Sequence, residues 1–146
     1  MLPSLEEYEL LVYSIPDTFS SVVRSTLVVK RLGTGKAIVE GQVTFAGDIY
    51  LSVFEALNFN AGVIRTYSYE VYRGETKLYW YDPFPHPHIP ELAATHPHHK
   101  HTQPDIKHHR AVAPGLSFTE PNLARIIREI EQTLTDNDAA ASEANP

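Results

Sequence analysis

Residues 36–82 read KAIVEGQVTFAGDIYLSVFEALNFNAGVIRTYSYEVYRGETKLYWYD. Apolar and polar residues alternate through most of this stretch, which is the period of extended chain with one face buried. From Lys36 to Phe45, Ala37, Val39, Val43 and Phe45 fall on one side, and Glu40, Gln42 and Thr44 on the other. Gly47-Asp48 turns the chain into Ile49 to Leu57, where Ile49, Leu51, Val53 and Leu57 share a side with Glu55, a carboxylate among apolar neighbours. After the turn Asn58 to Gly62, the strand Val63 to Tyr72 carries Arg65, Tyr67 and Tyr69 on one face, and Arg73-Gly74-Glu75 leads into Lys77 to Asp82. Upstream, Val23 to Arg31 is rich in β-branched residues and stops at Gly33-Thr34-Gly35. About five consecutive strands with short turns predict an antiparallel meander.

Helices flank the meander. Ser4 and Glu7 form a capping-box pattern ahead of Leu5, Tyr8, Leu11 and Val12, which recur at helical spacing until Pro16. Near the other end, Thr119 as N-cap and Pro121 in the first turn introduce Leu123, Ile126, Ile127, Ile130 and Leu134, an apolar stripe at spacings of three and four. The chain thus reads as one α+β domain over residues 1–134, with residues 135–146 an acidic, disordered tail.

Composition narrows the chemistry. A net charge of −6 argues against a broad basic surface that coats nucleic acid, so any phosphate site must be local. The absence of cysteine removes disulfides, Cys-ligated zinc and thiol catalysis. No apolar run is long enough to span a bilayer and the N-terminus has no signal-peptide pattern, so the expectation is a cytoplasmic protein with no membrane partner.

Pro83, Pro85, Pro87 and Pro90 end the strand ladder, because proline has a fixed φ and no backbone donor. Phe84 to Pro114 then reads as an irregular Pro/His-rich loop. All eight histidines fall within it, between His86 and His109. Three uses compete. Neutral imidazoles could ligate a metal, although the spacing matches no zinc-finger or HExxH pattern. Imidazoles near their ordinary pKa could serve as general base and acid for RNA cleavage by the neighbouring 2′-hydroxyl, which needs no metal or other cofactor. The third use is structural, in loop packing or at the surface. Lys100 lies inside the cluster as a point charge for phosphate, and Arg65 offers bidentate contacts. Glu55 reads equally as a base or as a buried partner of Arg65, and Tyr67 and Tyr69 suit a sheet core at least as well as a substrate site.

The order of a short helix, the strand end VFE (53–55), RTYSYEVY (65–72), YWYDPFPHP (79–87), THPHHKH (95–101) and a terminal amphipathic helix resembles the TumE family of bacterial toxins, over about residues 5 to 134. The resemblance implies a growth-inhibiting toxin neutralised by an antitoxin of helix-turn-helix type, with RNA cleavage as its activity. It highlights His98, His99, Lys100, His101 and Glu55 as catalytic candidates, and Arg65, Tyr67, Tyr69, Tyr81, Asp82 and His86 as substrate-binding candidates, with no metal ligand among them. At Glu70 and Pro83 the chain departs from the family's usual residues, and those positions are assigned no role. His108 and His109 lie outside the family-like motif and read as surface residues. A toxin or regulator that acts by binding, without catalysis, and a His-ligated metal nuclease or hydrolase are the competing functions. Self-association stays open.

Overall fold

The alternation in residues 36–82 is realised as the centre of one sheet. The computed structural model describes residues 1–83, 99–102, 110–112 and 116–144, with side chains for 1–83, 100, 102 and 116–136. Its strands are β1 (Val22–Ser25), β2 (Val28–Arg31), β3 (Lys36–Phe45), β4 (Ile49–Asn58), β5 (Val63–Arg73), β6 (Thr76–Asp82), β7 (His99–Thr102) and β8 (Arg110–Val112). Among the described residues these eight strands pair antiparallel in the order β1-β3-β4-β5-β6-β7-β8, with β2 also paired to β3. The helices are α1 (Leu5–Tyr13), α2 (Ile15–Thr18) and α3 (Leu123–Ala144). The α+β expectation with a central meander therefore holds.

One face of the sheet packs against the helices. Val39, Val43, Leu51, Val53, Tyr69 and Val71 meet Tyr8 and Val12 of α1 and Ile126, Ile127 and Ile130 of α3 in a continuous core. The Ser4 hydroxyl accepts from the Glu7 amide at 3.1 Å, which caps α1 as its sequence predicts. The opposite face is half-exposed and more polar. On it Tyr50 stacks on Tyr72 at 4.8 Å, and the Lys77 ammonium lies 4.3 Å from the centre of the Trp80 ring.

The structure corrects four details. The segment expected as a single strand, Val23 to Arg31, is broken at Thr26 and Leu27, where the chain passes over Gly41. There the Thr26 amide donates to the Gln42 carbonyl at 2.8 Å and the Gln42 amide to the Thr26 hydroxyl at 3.0 Å. Gly41 has φ of 137°, and a Cβ at that position would lie 2.6 Å from the Thr26 carbonyl oxygen and 2.9 Å from Leu27 Cα. Both obstacles are backbone, so Gly41→Ala is expected to destabilise the fold by about 1–3 kcal/mol through overpacking. A thermal melt indistinguishable from wild type would show that the crossing has room to relax.

The second correction concerns the loop from Phe84 to Pro114, which is not irregular throughout: β7 and β8 lie in it and extend the sheet beyond β6. Backbone pairing along an open strand edge needs no apolar alternation, so a sequence of His, Lys and Thr gives little sign of it. Third, α3 continues to Ala144 through most of the expected tail. Alanine has the highest intrinsic helix propensity and recurs in that segment, and Gln132 donates to Asp136 at 2.9 Å across one turn. Fourth, α3 begins at Leu123, with the Asn122 carbonyl accepting its first helical bond from Ile126 at 3.1 Å, so Asn122 stands where Thr119 was expected to cap. Among the described residues no helix is long and apolar enough to cross a membrane.

Candidate functional site

A sheet built this way separates the candidate residues into a core group and an edge group. In the core, Glu55 has no exposed surface. Its Oε1 accepts from the Tyr8 hydroxyl at 2.6 Å and its Oε2 from the Tyr69 hydroxyl at 2.5 Å. Tyr69 in turn accepts from Asn122 Nδ2 at 3.2 Å, and Asn122 exchanges two bonds with the Ser117 backbone, each of 2.9 Å. One buried chain of hydrogen bonds thereby ties α1, β4, β5 and the start of α3 together. Burial pushes the Glu55 carboxyl up from its ordinary range, against the two hydroxyl bonds that favour its ionised form. Burial and then Glu55 itself push both phenols up, which keeps them as donors.

Arg65 does not join this group. The β4–β5 register shifts between Ala56 and Leu57, so Ala56 faces Thr66 while Leu57 faces Ile64, and Arg65 is the extra residue of a β-bulge. Its side chain is exposed, whereas Tyr67 and Tyr69 remain in the core at 1% and 0% exposure. The expectation that Arg65, Tyr67 and Tyr69 share a face, and with it the reading of Glu55 as a buried partner of Arg65, is corrected by this bulge. A single inserted residue reverses the alternation, and nothing in the spacing of RTYSY signals it. Tyr67 stacks on Tyr69 at 4.9 Å, and burial, with Asp82 second, raises its pKa.

The edge group gathers where β6 meets β7. In their register Tyr81 faces Lys100, Asp82 faces His99 and Trp80 faces His101. The two parts of the motif, separated in sequence by the proline-rich segment, are hydrogen-bonded neighbours. Tyr81 and Asp82 are buried, with 3% and 7% exposure, and Trp80 Nε1 donates to Asp82 at 2.9 Å. Lys100 points to the helix side of the sheet. Its ammonium donates to Glu129 of α3 at 2.9 Å and sits 4.5 Å from the centre of the Tyr79 ring and 5.4 Å from that of Tyr81. The Tyr81 hydroxyl donates to the same carboxylate at 2.6 Å. Burial, then the hydrogen bond to Glu129 and the charge of that carboxylate, hold Tyr81 protonated, with nearby Arg125 acting weakly in the opposite sense. Glu129 also lines a shallow surface groove with Arg125, Arg128 and Gln132.

A partly solvated ammonium and a phenol therefore bond one carboxylate beside the strand that carries His99 and His101, and two guanidinium groups line the same groove. His86, His88, His96, His98, His108 and His109 lie outside the described residues. Glu129, Arg125, Arg128, Tyr8 and Asn122 were not among the sequence candidates. Two signals pointed towards some of them. A Glu on the apolar side of β4 requires buried donors, and a Tyr on the buried face of α1 requires an acceptor.

A family model described as Toxin TumE matches residues 12–134. No curated protein and no solved structure matches the chain. The family match runs from α1 into α3 and includes both the core network from Glu55 to Asn122 and the β6–β7 edge, and by it the chain belongs to the TumE family of toxins.

Proposed function

We propose that this toxin is a metal-independent endoribonuclease whose site lies along β7 and the neighbouring surface of α3, and that its antitoxin is a helix-turn-helix protein. In this reading a histidine among His98, His99 and His101 takes the proton of a ribose 2′-hydroxyl. The freed oxygen attacks the adjacent phosphorus, and the 5′-oxygen leaves with a proton from a second histidine. Lys100 holds the phosphate, with Arg125 and Arg128 as nearby cations, and Arg65 contacts RNA from its exposed bulge. Glu55 acts only through the core, by holding together the sheet and helices that carry the site.

The observation that supports this reading best is the β6–β7 register, which brings Tyr81 and Asp82 alongside the segment His99–Thr102 and seats Lys100 among polar groups at a half-exposed edge. Local positive charge fits a chain whose overall charge opposes general nucleic-acid binding.

The test uses purified toxin and a defined RNA in excess EDTA. Cleavage should leave 2′,3′-cyclic phosphate ends with a bell-shaped pH dependence, and His98→Ala and His99→Ala should each slow it by about 10²–10⁴-fold. Intact RNA, together with unimpaired toxicity of both variants in cells, would remove the ribonuclease.

A further inference from the structure

A second surface meets the Lys100 edge. Leu11, Ile15 and Phe19, from α1, α2 and the turn that follows, form one wall of an apolar groove, and Ala124 and Arg128 of α3 form the other. Leu11 is 52% exposed, and its neighbour Leu10 is 69% exposed. The expected apolar face of α1 is therefore only partly used by the core: Tyr8 and Val12 are buried while Leu11 stands at the open groove. Such clustered apolar surface on a soluble fold is a recognised signature of a docking site.

The groove ends in charge. Arg128 stands 6.0 Å from the Phe19 ring centre and also lines the shallow groove of Arg125, Glu129 and Gln132, so it belongs to both depressions. Among the described residues neither Arg125 nor Arg128 is paired with a carboxylate. An occupant that fills the apolar part and continues along α3 meets two guanidinium groups and then the Lys100–Glu129 pair. Complementarity thus asks for an apolar segment followed by carboxylates, bound as a helix or strand laid in a groove.

We propose that this groove is the docking site for an apolar, acid-ended segment of the antitoxin, whose carboxylates cover Arg128 and Arg125 and block access to Lys100. The docking stands on the groove itself, while the blocking rests on the ribonuclease reading of the Lys100 edge. RNA is a poorer occupant of the apolar part, because among the described residues that part offers a phosphate backbone no cation other than Arg128 at its end.

The test titrates the full-length toxin with the protein encoded beside it, purified separately, by calorimetry. Leu11→Asp places a charge on an exposed side chain, and Ala124→Trp fills the groove from its opposite wall. Both should stay folded, toxic and able to cut RNA when alone. Each should weaken the complex at least about 30-fold, since two kinds of groove damage remove the same contacts, and growth should no longer be rescued by the partner. Arg128→Glu should weaken the complex and lessen its salt dependence. A dissociation constant within threefold of wild type for both groove variants would overturn the proposal, as would absence of any complex. Two further results would replace it: a wild-type dimer that Leu11→Asp turns into monomer, meaning a second copy of the chain fills the groove, or a loss of RNA affinity in place of partner affinity. If the groove variants lose the partner while wild-type toxin cuts no RNA, docking stands and the ribonuclease falls. If RNA is cut while the groove variants bind normally, the reverse holds.

Discussion

Replacing Glu55 with alanine is expected to destabilise the fold by about 3–5 kcal/mol, seen as a lower urea midpoint and a melting temperature lower by roughly 10 °C. The carboxylate is enclosed by the sheet and helices and is the acceptor for the hydroxyls of Tyr8 and Tyr69. Alanine leaves both hydroxyls buried without that acceptor, at about 1–3 kcal/mol each, and opens a cavity. The loss spreads because Tyr69 also accepts from Asn122 at the start of α3. Since Glu55 has no surface from which to touch RNA, its variants should lose activity in proportion to folded protein. A stable, fully folded Glu55→Ala toxin without activity would instead place the carboxylate in the chemistry.

The same network has a pH signature. Burial holds the folded-state pKa of Glu55 above its unfolded value of about 4.3. The folded state therefore retains the proton longer than the unfolded chain. The stability tied to that proton is fully present below the unfolded pKa and is lost as the pH rises through the folded one. Glu55→Gln keeps the shape and cannot ionise, so its stability relative to wild type should improve as the pH is raised from about 4 towards neutrality. Urea titrations at several pH values measure this difference directly. Parallel curves for the two proteins would show that Glu55 ionisation is not coupled to folding.

The sequence makes some of these features readable and hides others for specific reasons. The alternation of Val39, Val43, Leu51 and Val53 marks buried strand positions because one side of a pleated strand must leave water, and each of those residues is in the core. The stripe Ile126, Ile127 and Ile130 is readable for the helical equivalent of that reason. Arg65 is misplaced because a bulge is a property of two paired strands, and the extra residue carries no mark in its own strand. β7 is missed because an edge strand can be held by backbone bonds to β6 whatever its side chains. Glu129 is hidden for a further reason: on α3 it is one polar residue among several, and only the packing of α3 beside β6 and β7 brings it to Lys100 and Tyr81.

If the toxin is the proposed ribonuclease, replacing Lys100 with alanine is expected to lower kcat/KM for RNA cleavage by about 10²–10³-fold, the effect of removing one preorganised donor from the charge that develops on phosphate. Unfolding cannot produce a loss of that size. The Lys100–Glu129 pair is in partial contact with solvent, with side-chain exposures of 27% and 32%. Partly screened pairs of this kind contribute up to about 1 kcal/mol, so Lys100→Ala should melt within a few degrees of wild type. The salt dependence of RNA binding should become shallower by about one unit of log slope, as for the loss of one phosphate contact. Lys100→Arg keeps the cation and should recover much of the rate. Glu129→Gln separates holding from catalysis, because it removes a negative charge close to the arriving phosphate and also loosens the seat of Lys100 and Tyr81. KM should fall through the lost repulsion while kcat also falls through the lost positioning, a pairing of effects that mere destabilisation does not give. If Lys100→Ala retains wild-type kcat/KM and salt slope, the β6–β7 edge is not where RNA is held, and the ion pair serves only to fasten α3 to the sheet.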